Sequence, residues 1–580
     1  MNRDSRQQTN RPRTQRAKAR VGLESLETRQ LLSGGGGQIN PDLIPSLLFN
    51  RSSTNFPIVA RPHPIGDGPE LQTLLDNDGK VLIGQLPNGD QFSITVDGPG
   101  VAIVTDVTPN DGLLNSEIDT IQLVGTDPHR TRVTGQVKSS DRVITDGLVG
   151  FNRLLATDGV ASIALNGFVL RETTEVPTGP PRIALLGGVK NLSFHAIEAA
   201  VNPEAGEPVD VIIGDPSTPL RVRPNIQIGH IFNTAFDPAV GPINNVPQTE
   251  PTVRLIVNGD IHSLELGSVT ANIVPADINA ILSPVAYTGR TNVEARGVEG
   301  MKVVGSARNL VLARGDQPFT DRFSGLNRVG HAHFGGPADA VAIDATAGQI
   351  GQLKFLRGLG NPANTTPSLL EAGNPIGKRG YPASGLAGGV IAAEEIGSST
   401  FGPTNLVRQI PPDPRTIQYG GPGTINYVTR PGFAQTNVTM TANRSIGDTT
   451  IVGDSLNTLV AAGFDYLSFR QGLDPIRQPS RIGFYQQRGD LVDSVIAASY
   501  RPTDGVYGTP TDEAGNGTIA GRFTGNLYRI TGDEAFAPPT GPTRVQGAGF
   551  FARRLIGDLP SIGGPQPEGP RRIHSILTRM

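Results

Sequence analysis

The stretch Asn258-Gly259-Asp260-Ile261-His262-Ser263-Leu264-Glu265-Leu266 opens on a polar Gly-Asp corner and then spaces its apolar residues as h-x-x-h-x-h before Gly267. Strand alternation sends Leu264 and Leu266 to one face and Glu265 to the other. His262 and Ser263 fill a widened gap, and a bend there lets Ile261 face the same way as Leu264. The form recurs in outline at Gly188-Val189-Lys190-Asn191-Leu192-Ser193-Phe194 and at Gly297-Val298-Glu299-Gly300-Met301-Lys302-Val303. It recurs again at Ile350-Gly351-Gln352-Leu353-Lys354-Phe355 and at Leu456-Asn457-Thr458-Leu459-Val460-Ala461. Short β-runs with glycine corners, repeated along a chain, are the mark of a stacked β-solenoid. The sequence therefore predicts an all-β fold, a right-handed parallel β-helix (β-solenoid) with irregular loop insertions behind a disordered N-terminal leader.

Composition agrees with that reading. A chain of 580 residues is too long for one compact core. A solenoid escapes the limit, because each coil is buried only against its neighbours. Hydrophobic residues make up 37%, which suits a thin core with many loops. Aromatics are 5% and tryptophan is absent, so aliphatic and β-branched side chains are expected to fill the interior. Cysteine is absent, which excludes disulfides, thiolate metal sites and cysteine nucleophiles. The net charge of −3 is unevenly spread. Arg3, Arg6, Arg11, Arg13, Arg16, Lys18 and Arg20 face a single early acid, Asp4, and the remainder of the chain is acidic. An acidic body argues against nucleic acid as the main partner.

Read in order, residues 1–37 form a basic leader with no apolar run of the length a secretory signal needs. The leader contains Leu23-Glu24-Ser25-Leu26-Glu27-Thr28-Arg29-Gln30-Leu31-Leu32-Ser33. This resembles the LEPR-xLL sorting motif of bacterial exported proteins, known chiefly from planctomycetes and often attached to long repetitive ectodomains. Thr28 stands where that family usually has proline. The resemblance implies an exported, cell-surface or extracellular protein, and export machinery as a partner. Residues 38–70 read as a Pro/Gly-rich linker. Residues 71–180 read as an N-terminal β-region, a cap or first coils, with strands around Val81-Leu82-Ile83, Gln91 to Val96 and Val101 to Val104. Residues 181–540 are the solenoid body, interrupted by insertions at 361–382 and 401–431. Residues 541–580 hold one strand, Phe550-Phe551-Ala552, and a flexible tail. No stretch has the roughly 18 apolar residues of a transmembrane segment.

Several constellations carry chemistry and also serve as turns. Asp106, Thr108, Asn110 and Glu117 have the oxygen spacing of a calcium loop, but Gly112 falls one place late for the sharp turn. Asp76-Asn77-Asp78-Gly79 is a shorter version. Both are read first as turn residues, with Ca the one cofactor that remains open. His331 and His333 would lie on one face of a strand, a spacing that zinc or nickel can use, with no third ligand identifiable. Arg314-Gly315-Asp316 and Arg488-Gly489-Asp490 spell an adhesion tripeptide, yet Gly-Asp is also the corner pair of the repeat. Parallel β-helices often carry carbohydrate-active enzymes, whose paired carboxylates act as acid and base. The polygalacturonase-like set of Asn-Thr-Asp, Asp-Asp and Gly-His-Gly does not occur, and the only Arg-x-Lys lies in the leader. The acidic pairs Asp339/Asp344, Asp448/Asp454 and Asp490/Asp493 each also fit a turn, so no residue is assigned as catalytic. The expectation is a structural or adhesive surface protein whose partners are polysaccharide or other cell-envelope components. The alternatives are a polysaccharide lyase or glycoside hydrolase on the same scaffold, and a calcium-dependent surface-assembly module.

Overall fold

In a computed structural model of the chain, the described residues are 80–106, 117–139, 147–172, 181–200, 208–234, 253–275, 285–360, 389–403, 433–501, 513–531, 549–560 and 573–577, save isolated positions within them. All of them belong to the compact unit Asp42–Met580. The leader motif, the linker, Asp76 to Gly79 and almost all of the two long insertions lie outside the described residues.

The structure is all-β, and its largest sheet joins 27 strands that are mostly parallel. That sheet and the smaller parallel sheet of Phe433–Thr436, Asp454–Leu456, Leu491–Val492, Leu527–Thr531 and Ile573–Leu577 resolve into three ladders, which the chain visits in a fixed rotation. Ile118–Val124 starts the first ladder and pairs in parallel with Val149–Ala156. Arg132–Lys138 starts the second, against Val160–Arg171. Val149 to Phe151 starts the third, against Phe168 to Leu170. The first ladder then runs through Arg182–Leu185, Val209–Ile213, Val253–Val257 and Thr291–Glu294 to Gly549–Phe551. The second ends on Arg554–Asp558 and the third on Ile573–Leu577, so the tail beyond Phe551 adds two further strands. Long strands turn from one ladder to the next without a break. Ala338–Phe355 gives residues 341–343 to the first and 349–355 to the second, with a register slip after Ala345 marking the bend.

The N-terminal β-region differs in kind. Val81–Gln85 and Gln91–Asp97 form an antiparallel hairpin, and Gln91–Asp97 lies antiparallel on Arg132–Lys138. Val101–Asp106 lies antiparallel on Ile118–Val124. Phe92, Ile94 and Val96 point into the core, as their alternation predicts. Antiparallel strands thereby cover the open end of two parallel ladders, which would otherwise present unpaired backbone groups.

The opening stretch behaves as its spacing requires. Ile261, Leu264 and Leu266 are buried, His262 and Ser263 are exposed, and Glu265 stays at the surface, where it takes Lys302 of the next circuit at 3.0 Å. Three of the four outlined repeats occupy the same columns of the second ladder: Leu192, Ile226, Leu264 and Met301 are in register, as are Ile261, Val298, Val329 and Ile350. The fourth does not. Leu456 closes a strand of the third ladder and Leu459–Ala462 belongs to the first, so that run spans a corner.

Two features correct the reading from composition and corners. Aromatic side chains do fill part of the core. Phe334, Phe355 and Phe401 succeed Val303 in one column, with ring centroids 4.5 and 5.2 Å apart and planes within 3° and 8°. Parallel register at about 4.8 Å imposes that face-to-face geometry on rings that would otherwise prefer an offset or an edge. Glycine also does more than turn corners. Gly330, Gly351, Gly397 and Gly447 form a column in the bend of the second ladder, each pressed on the carbonyl of the circuit before it. A Cβ on Gly447 would lie 1.8 Å from the Gly397 oxygen. At the corner from the third ladder to the first, Asn309 and Ala340 occupy equivalent places and both adopt φ of 51°, a left-handed turn in one residue.

A second apolar cluster lies on the outer side of the first ladder. Val311, Ala342, Val390, Leu459 and Val495 share one outward column there and are buried. Phe319 and the segment around the helix Tyr466–Arg470 cover them, and the Phe319 and Tyr466 rings meet edge to face at 5.2 Å. Asp344, fully buried, fixes the cover: it accepts the Phe319 amide at 2.5 Å, the Ser324 hydroxyl at 2.9 Å and the Thr346 hydroxyl at 2.7 Å.

Two stability predictions follow the core columns. Leu264→Asp should lose the roughly 1.5–3 kcal/mol of a buried leucine and add an unpaired buried charge, while Glu265→Gln stays within about 0.5 kcal/mol. Chemical denaturation of both variants checks this, and equal midpoints would contradict the packing described. Gly447→Ala should lower the midpoint clearly, whereas Gly315→Ala, where a Cβ meets nothing within 4 Å, should not.

Candidate functional site

The outer face of the second ladder brings together one predicted pair and several residues no spacing revealed. His331 and His333 both project outward from Arg328–Phe334, His331 exposed and His333 half-buried. Their ladder neighbours give two columns. One runs Asn225, Ser263, Gly300, His331, Gln352, Ser398, Asp448; the other runs Gln227, Glu265, Lys302, His333, Lys354, Thr400. Gly300 leaves space for the His331 ring, since a Cβ there would come within 2.6 Å of it. Burial first, then the charges of Lys354, Lys302 and His331, hold the His333 imidazole below its ordinary pKa. Among the described residues no group of three or more histidines and carboxylates is placed to hold a metal ion.

Asp106 closes a strand, Thr108 and Asn110 lie outside the described residues, and the Glu117 carboxylate is engaged by Arg171, which also reaches Glu198 at 3.4 Å. The aspartates of both Arg-Gly-Asp tripeptides are tied into the fold. The Asp316 carbonyl accepts from Arg290 at 3.1 Å and Asn292 at 3.3 Å, and the Asp490 amide donates to Asp454 at 2.8 Å. Of the acidic pairs, Asp344 holds the loop over the first ladder and Asp454 braces the turn at Asp490.

The outward side of the first ladder carries a cluster that sequence spacing could not show. One column runs Arg153, Arg182, Asp210, Arg254, Asn292 and then turns apolar at Val311. Asp210 and Arg254 form a two-pronged ion pair at 2.8 Å for both contacts. At the change-over sits Glu294, 9% exposed, with its Oε1 buried and without a hydrogen-bond partner. Burial, reinforced by the negative charge of Asp316, pushes its carboxyl up to about 7, against the opposing pull of Arg254 and Asn292. Asp210 lies 44 positions before Arg254 and 84 before Glu294, and only the register of successive circuits unites them.

On the third ladder His230 and Ser268 form an enclosed pair, with Nδ1 and Oγ 2.7 Å apart. Burial, together with His195, pushes the His230 imidazole down to about 4.

These two shifts act on stability with opposite sign. Glu294 keeps in the folded chain a proton that the unfolded chain releases above about pH 4.5, so its contribution is full at lower pH and is lost as pH rises through 7. His230 contributes above pH 6.5 and loses its contribution as pH falls through 4. Glu294→Gln should therefore gain on the natural chain by up to on the order of 3 kcal/mol between pH 4.5 and 8. Denaturant midpoints measured across that range check it, and a difference that does not vary with pH would contradict the assignment.

No family model, no curated protein and no solved structure matches this chain.

Proposed function

We propose that the chain is an exported or cell-surface protein with a structural or adhesive role, built as a right-handed parallel β-helix. The observation that carries this reading is the regular rotation of parallel strands through three ladders from Ile118 to Leu577. Each return to a ladder is a crossover between parallel strands, and such crossovers are right-handed in about 98% of cases. Stacked circuits make a stiff support with broad outer faces, and the second ladder displays polar side chains at every step along it. Address rests on the leader motif at Leu23 to Ser33. No helix among the described residues is long and apolar enough to cross a membrane.

A carbohydrate-active enzyme is the second reading, favoured by Glu294. A carboxyl that retains its proton near neutrality is suited to act as a general acid, and it lies beside Asp316, Asp210 and Arg254.

Two measurements separate these readings. Residues 1–37 fused to a reporter should carry it out of the cytoplasm of a bacterium that sorts such motifs; complete retention would count against the address. The purified chain should leave a panel of acidic polysaccharides intact, and turnover that disappears in Glu294→Gln would replace the structural reading by the enzymatic one.

A further inference from the structure

We propose that the outer face of the second ladder around His333 binds an anionic polysaccharide laid along the stacking direction. Lys302, His333 and Lys354 succeed one another in register, which sets one cationic or protonatable group on each step of about 4.8 Å. His331 widens the patch on the central strand. Lys302 shares its charge with Glu265 at 3.0 Å. Among the described residues, no carboxylate lies within ion-pair distance of Lys354, His331 or His333. The positive charges of the patch are therefore left open to a ligand, and the His333 imidazole, lowered first by burial and then by Lys354, Lys302 and His331, lies among them.

What surrounds the charges suits a sugar polymer. Gln352, Ser398 and Thr400 continue the two columns with neutral hydrogen-bonding groups. Val304 and Leu356, 37% and 43% exposed, directly follow the aligned residues Val303 and Phe355. With Gly335 on the circuit between them, they flank a bare step beside the patch that can take the C–H face of a sugar ring. Nucleic acid fits less well. Its dense phosphates need an extended basic surface, whereas Glu265, Glu299 and Asp448 bound this patch within a few steps.

This inference rests on the adhesive reading above, yet it is tested by binding alone, so export and glycan recognition can fail separately. The full chain is titrated calorimetrically with a carboxymethylated glucan oligomer and with the same glucan unsubstituted. Binding of the charged form only is expected, weakening as salt is raised. Lys302→Gln combined with Lys354→Gln should lose tenfold or more in affinity with an unchanged circular-dichroism spectrum, while Lys190→Gln, on a distant circuit, retains it. In the natural chain the charged glucan should raise the His333 imidazole pKa, followed by NMR. Equal binding of both glucans, undiminished binding by the double variant, or preference for duplex DNA or anionic lipid vesicles would overturn the proposal.

Discussion

Parallel, in-register stacking of one circuit on the next governs this structure. Every side chain of a ladder meets its equivalent about 4.8 Å above and below, so each position must tolerate a copy of itself. Aliphatic columns satisfy the demand readily, and Ile350, Ile396, Ile446 and Ile482 do so over successive circuits. Three phenylalanines satisfy it by stacking their rings face to face. Charges satisfy it by alternating, as Asp210 with Arg254 and Glu265 with Lys302. The column from Lys302 through Lys354 satisfies it only in part: Glu265 answers Lys302, and His333 and Lys354 follow with no carboxylate between them.

The first ladder departs from the thin, single-cored form. Its outward column changes from Arg254 and Asn292 to Val311 and Ala342, and beyond that point a loop and a short helix cover it. A protein whose circuits are narrow gains a second buried layer there without widening the stack. The boundary has a cost. Glu294 sits where the polar column meets the covered one, and burial holds its carboxyl near pH 7. Buried titratable groups at such boundaries are where chemistry is most readily found.

The central rung was legible because its signal is local. Alternation and a two-residue bend within Ile261 to Leu266 fixed which side chains turn inward, and Gly-Asp marked the corner. The strands at Gln91–Asp97 and Val101–Asp106 were legible for the same reason. What escaped was whatever depends on the offset between circuits. That offset varies with every insertion, as the 44 residues between Asp210 and Arg254 and the 21 between His333 and Lys354 show. Hence the Glu294 cluster and the Lys302–His333–Lys354 column left no mark in the spacing, and the run from Leu456 to Ala461 imitated a rung while spanning a corner. The phenylalanine column was hidden by averaging, since a low aromatic content says nothing about where the few aromatics gather.

The glycine column has a bearing on how such a chain can change over time. From Gly330 to Gly447 the outward bend of the second ladder has no room for a side chain, because each circuit rests on the carbonyl of the last. Loops may lengthen freely between circuits, since they leave the stack elsewhere. A duplicated circuit, by contrast, can enter this part of the array only if it brings its own glycine to that place. The seam thus acts as a filter on growth by duplication: a new circuit must match the core columns and also leave that one position bare.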